Sequence, residues 1–191
     1  LNEDDVDELV LPQERKQGWQ FTEQQKDGIK AIIHSNVVII RGYGGTGKSS
    51  SVAGLLSCLD EEYSFVQCAL SGKASVNLRD ITGKNGSTIH TLLGYNPEGG
   101  FKHTERDPLM TDMVILDEAS MVDIGLFLSL ISAIRTGSKL VMLGDTNQLE
   151  AIGVGNVLMD LIDSELVPVV TFDQIHRQGA KSGIIPFSIQ I

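Results

Sequence analysis

The chain has little cysteine, few aromatics and no long apolar run. Only Cys58 and Cys68 are present, too few for a disulfide framework or a cysteine-based metal site. Their apolar surroundings suit buried, reduced thiols in a cytoplasmic protein. No stretch approaches the ~20 apolar residues that a membrane-spanning helix needs, and no basic-then-apolar leader opens the chain. A basic excess is also missing. The net charge of −10 excludes indiscriminate attraction to phosphate backbones.

What is present is enough for one sizeable domain: 191 residues, 41% of them hydrophobic, with no repeat or low-complexity segment. Charge is unevenly spread. Residues 1–14 carry six acids (Glu3, Asp4, Asp5, Asp7, Glu8 and Glu14) and no base, so residues 1–18 are expected to be a flexible acidic lead-in. Residues 71–106 carry Lys73, Arg79, Lys84, Lys102 and Arg106 against three acids, a middle that permits one nucleic-acid face. The chain begins at Leu1 rather than Met, which fits a processed product or a piece of something longer.

Helical and strand patterns then alternate. Thr22 and Gln25 fit a capping box ahead of a helix running to about residue 35. "VVII" (37–40) reads as a buried strand, 48–60 as a helix, and "YSFVQCAL" (63–70) as a strand. A helix over 73–80 and a short one in "STIHTLLG" (87–94) follow, then a loop over 95–112. "MVILD" (113–117) is a strand, and Asp123 is placed to cap a helix from 124 to 135. Strands at 139–144 and 167–172 enclose a helix over 155–163. Short apolar strands alternating with helices predict an α/β fold, a mostly parallel sheet in three layers with helices on both faces. In such sheets ligands collect at the carboxyl ends of strands, here just after Ile40, Leu70, Leu116, Leu143 and Phe172.

The strand ends carry chemistry. After the first comes "GYGGTGKS" (42–49), a match to G-x-x-x-x-G-K-[ST]. Gly44, Gly45 and Gly47 let the backbone curl so that successive N–H groups, that of Thr46 included, face phosphate oxygens. Lys48 suits the β- and γ-phosphates of ATP, Ser49 suits Mg²⁺, and the next helix, through Ser50, aims its positive end at the anion. Asp117 at the end of the third strand suits Mg²⁺, and Glu118 beside it suits activation of water. The pair favours hydrolysis over phosphate transfer to a small acceptor. The strand at 139–144 delivers Asp145 and Gln148 to the same edge.

Eight segments in order resemble a known family: "FTEQQ", "GYGGTGKSS", "SGKA", "STIHTLLG", "ILDEASMVD", "GDTNQL", "GVGNVLMDLI" and "IHRQ". Over roughly residues 19–185 the series is similar to the first RecA-like motor domain of superfamily 1 DNA helicases. Within them it is most similar to the RecD-like branch, relatives of the exodeoxyribonuclease V alpha subunit that move 5′ to 3′. The resemblance implies a P-loop NTPase domain at 19–180 that binds ATP and Mg²⁺. It also implies that 181–191 begins the connection to a second RecA-like domain absent from this chain. Gln25 matches the residue that reads adenine, Gln148 the one that senses the γ-phosphate, and Arg177 an arginine directed at that phosphate. Ser71, Lys73, Thr88 and His90 match segments that hold single-stranded DNA. Trp19 and Phe21 could flank adenine, although core packing is the commoner use of such rings.

Tyr43, Asn147 and Glu150 depart from the usual residues of the branch, and no nuclease constellation is visible. Lys73 and Arg79 also suit a solvated helix face. Two alternatives stay open: another P-loop ATPase acting on nucleic acid (packaging, switch or relaxase-linked), or a nucleic-acid binding module with a vestigial ATP site. The isolated piece is expected to be monomeric, independent of membranes, and weakly active or inactive.

Overall fold

Each continuous apolar run becomes a strand of one parallel sheet. The computed structural model describes residues 3–42, 48–60, 62–145 and 155–172, with only the backbone of 3–4 and 48–51. In chain order the elements are α1 (Glu3–Gln17), α2 (Glu23–His34), β1 (Val37–Gly42), α3 (Lys48–Leu59), β2 (Phe65–Ala69) and α4 (Gly72–Thr82). β3 (Gly86–Thr88), α5 (Ile89–Leu92), β4 (Tyr95–Asn96), β5 (Gly100–Phe101) and β6 (Met113–Asp117) follow. After a 3-10 turn at Ala119–Met121 come α6 (Ile124–Ala133), β7 (Lys139–Gly144), α7 (Val157–Asp163) and β8 (Val169–Phe172). Six strands pair in the order β3-β2-β6-β7-β1-β8, every pair parallel, while β4 and β5 form a separate antiparallel pair.

Alternation along the strands builds two cores. Val38 and Ile40 of β1, Met113 and Ile115 of β6, and Val141 and Leu143 of β7 pack against α1, α2 and α3. Their neighbours Ile39, Val114, Leu116, Leu140 and Met142 pack against α5, α6 and α7. Strands buried on both faces read as unbroken apolar runs for this reason. Asp117 continues the β6 alternation toward the side of α3, the helix that follows the glycine-rich segment.

Four details differ from the sequence expectations. Residues 3–17 form a helix rather than a flexible lead-in, because Val6 and Val10, one helical turn apart, bury in the core beside Leu9. The acids had hidden this stripe. Ser87 and Thr88, expected to open the short helix of 87–94, belong with Gly86 to an edge strand paired with β2. The loop at 95–112 contains the β4–β5 hairpin. The helix from 124 ends at Ala133, where extended Ile134 pairs with Leu109, and Arg135 instead meets Asp112 at 3.3 Å. Asp123 caps that helix as expected, its Oδ1 accepting the N–H groups of Gly125 and Leu126 at 2.9 and 3.0 Å.

Candidate functional site at the carboxyl edge of the sheet

Parallel pairing brings the strand ends to one edge. Arg41 is level with Gly144, Leu116 with Met142, and Ala69 with both Asp117 and Thr88. The strand bearing Asp145 lies between the one that enters the glycine-rich segment and the one that ends at Asp117. Close approach of α7 to β7 needs Gly144, since a Cβ there would fall 2.3 Å from the Leu158 side chain.

Asp117 is 9% exposed and accepts the backbone N–H of Glu118 on Oδ1 at 2.8 Å, which fixes its carboxylate at the strand end. Glu118 has φ 53°, in the left-handed region. That backbone costs a non-glycine residue roughly 1–2 kcal/mol. It breaks the strand immediately and hands the chain to the 3-10 turn, leaving Glu118 half-buried beside Asp117. Asp145 is 4% exposed. The thiol of Cys68, on the strand next to β6, is pushed up to about 12 by burial, with the Asp117 charge adding to the effect. Cys58 rises to about 11, mainly through burial. Neither thiol is a nucleophile at neutral pH.

A nucleotide and its cation fit this donor set. A buried carboxylate at a strand end is the donor type that a divalent cation takes, and α3 begins at Lys48 directly after the glycine-rich segment. Lys48, Ser49 and Ser50 form its first turn, described as backbone only. Tyr43, Gly44, Gly45, Thr46, Gly47, Asn147, Gln148, Glu150 and Arg177 lie outside the described residues.

Gln25 is buried in a complete capping box. Its Oε1 accepts the Thr22 N–H at 2.8 Å, and Thr22 Oγ1 accepts the Gln25 N–H at 3.3 Å. Phe21 belongs to the core rather than to an open site, its ring edge-on to Trp19 at 5.2 Å.

Ser71, Lys73, Thr88 and His90 come together beyond the ends of β2 and β3. Ser71 caps α4 by accepting the Ala74 N–H at 3.1 Å, and Thr88 caps α5 by accepting the Thr91 N–H at 3.1 Å. The Ser71 hydroxyl can still donate its proton to another acceptor, while Thr88 Oγ1 also shares a hydrogen bond with Thr91 Oγ1 at 2.9 Å. Lys73 is exposed on the first turn of α4. His90 is exposed and packs edge-on against Tyr95 at 5.6 Å and tilted on Phe101 at 5.8 Å. Tyr95 is 52% exposed. Sequence reasoning missed these two aromatics; the Pro97-Glu98-Gly99-Gly100 turn between them was the available signal of a hairpin. It also missed Ser120, whose buried Oγ has no hydrogen-bond partner among the described residues.

A family model described as an AAA domain matches residues 20–190. Over 182 residues the chain is 36% identical to the ATP-dependent RecD2 DNA helicase of Deinococcus radiodurans, covering 94% of this chain and 24% of that protein. The chain belongs to the AAA-domain family, in its RecD-like helicase branch. This RecD-like domain is also 29% identical to the RecBCD enzyme subunit RecD of Mycolicibacterium smegmatis, over 88% of its own length and 35% of that subunit's. It therefore spans about a quarter to a third of these relatives. Among solved structures, a Pif1 helicase from Candida albicans superposes with TM-score 0.62 at 23% identity, covering 83% of this chain and 41% of that one. One from a study of forked double-stranded DNA unwinding by two coordinating Pif1 helicases gives 0.61 at 21%, covering 85% and 46%. Those likenesses establish the RecA-like P-loop fold. Among the described residues no helix is long and apolar enough to cross a membrane.

Proposed function

We propose that this domain is the ATP-binding motor of a RecD-like DNA helicase, coupling hydrolysis to 5′–3′ movement on single-stranded DNA and duplex unwinding. It would do so in a longer cytoplasmic protein with a second RecA-like domain. One observation carries the reading: the edge that holds Asp117 and Glu118 also holds Ser71 and Thr88, with Ala69 level with both Asp117 and Thr88. Chemistry at one end of that edge can therefore be felt at the other through adjoining strands.

Bound ATP with Mg²⁺ supplies a phosphoanhydride whose hydrolysis is strongly downhill. The chain's own residues divide the work around it. The backbone N–H groups of Gly44, Gly45, Thr46 and Gly47, with Ser50, cradle phosphate oxygens. Lys48 and Arg177 would neutralise charge on the γ-phosphate, and Ser49 and Asp117 would hold the cation. Glu118 accepts a proton from the attacking water. Gln25 reads the base, and Gln148 senses the γ-phosphate. Ser71, Lys73 and Thr88 hold the DNA backbone without reading sequence, while the rings of His90, Tyr95 and Phe101 offer a stacking surface for an unpaired base.

The test is ATPase activity of the natural polypeptide with and without single-stranded DNA. Stimulation by DNA is expected, with loss of nucleotide binding in Lys48→Ala. Glu118→Gln should keep binding but lose roughly 10²-fold or more in turnover. ATP turnover that ignores DNA would remove the helicase reading. DNA binding without any turnover would favour a vestigial site.

A further inference from the structure

The helix α1 lies ahead of the residues matched by the family model, yet it is bound to the segment that leads into Gln25. The chain leaves α1 through Gly18, which has φ 79° and donates its N–H to Glu14 O at 2.9 Å. The Glu14 carboxylate then accepts the Phe21 N–H at 2.8 Å, and Gln17 Nε2 donates to Trp19 O at 2.9 Å. Gln13 in turn donates to Gln17 Oε1 at 3.3 Å. A third tie runs to α2, where Lys26 pairs with Asp7 at 2.6 Å.

The same segment is pinned from the opposite side. Gly54 of α3 lets the Phe21 ring come so close that a Cβ there would sit 3.0 Å from Cε1, and 3.3 Å from the Gln17 amide oxygen. Phe21 is thus held between α1 and the helix that begins at Lys48. One residue later, Thr22 offers the N–H that the Gln25 side chain accepts.

We propose that Glu14 and Gln17 are positioning residues of the nucleotide site, fixing residues 19–22 so that Gln25 meets the base in one orientation. The inference rests on the reading of Gln25 given above. Fixing a reader in advance removes the ordering cost from the binding step. The base should feel the arm, and the phosphates should not.

The experiment measures binding of ATP and of inorganic tripolyphosphate to the natural polypeptide by calorimetry, without DNA. Glu14→Ala combined with Gln17→Ala is expected to weaken ATP about 5- to 10-fold, the scale of losing one or two hydrogen bonds. Tripolyphosphate, which has no base, should bind unchanged. Glu14→Gln keeps the acceptor oxygen and should bind ATP like the parent. In a Gln25→Ala background the double substitution should add little. Equal losses for both ligands would show general damage and overturn the inference. So would unchanged ATP affinity beside a weakened Gln25→Ala variant. Unchanged ATP affinity in Gln25→Ala overturns the reading of Gln25 itself, and the inference with it.

Discussion

Gly86→Ala probes the junction that carries the candidate DNA-binding residues. A Cβ at Gly86 would lie 2.7 Å from the backbone oxygen of Ser75 in α4, where ordinary contact begins at 3.4 Å. Neither side yields easily. Gly86 is paired with Gln67 of β2, and α4 is anchored by buried Ala74 and Leu78. The buried Gln67 amide also ties the two together, donating to Thr82 Oγ1 at 2.8 Å and to Lys84 O at 2.7 Å. Relief therefore means moving α4 off the sheet edge, an overpacking cost of about 1–3 kcal/mol. In a domain of this size that lowers Tm by roughly 2–12 °C. Gly72→Ala is the control. It sits in the same helix with nothing within 4 Å of the added methyl, so it should be neutral or slightly stabilising.

Urea and thermal unfolding read the stability, and fluorescence anisotropy of a labelled oligonucleotide reads the function. Moving α4 separates Ser71 and Lys73 from Thr88, so single-stranded DNA affinity should fall while nucleotide affinity holds. A Gly86→Ala protein within about 0.5 kcal/mol of the parent would refute the steric argument. Normal stability with lost DNA binding would show that the contact matters for another reason.

Three further tests address separate groups. Ser120→Ala removes a buried hydroxyl that lacks a partner among the described residues, so it should leave stability unchanged or raise it by up to about 1 kcal/mol; a clear loss in urea melts would reveal a partner. The Asp112 carboxyl is held below its ordinary 3.8 by hydrogen bonds from the Ser64 hydroxyl and N–H, with the Arg135 charge adding to them. A depressed pKa means stability present above 3.8 and lost as pH falls through the folded value, so Asp112→Asn should flatten the acid limb of the stability curve. An unchanged acid limb would refute it. Cys58 and Cys68 are buried, with thiols pushed up to about 11 and about 12, so alkylation at pH 8 should wait for unfolding. Fast labelling of the folded protein would contradict their burial.

The legible parts of this domain share a physical cause. Strands β1, β6 and β7 are buried on both faces, so each is an unbroken apolar run whose end is marked by the first polar residue. Asp117 ends β6 and Asp145 directly follows β7, and both were readable with those runs. The edge strand β3 pairs on one side only and is written in Gly86, Ser87 and Thr88, which look like a turn. The hairpin strands span two residues each, too few for any period to show. The helix α1 was misread because its charges outnumber the few apolar residues that bury. Partners that hold the site, such as Glu14 on Phe21 or Gln67 on Thr82, follow no period at all and arise only once elements are packed.

The order of strands in space was also beyond the alternation of helix and strand. That alternation demands parallel pairing but leaves open which strand lies beside which. Here β7, late in the chain, inserts between β1 and β6. The arrangement puts Asp145, directly after the end of β7, between the end of the strand that enters the glycine-rich segment and Asp117. A residue placed there can meet the phosphates from one side and the cation's ligand from the other. Asp145 is itself buried at that position. Gln148, for which the γ-phosphate role is proposed, follows three residues farther on in the sequence.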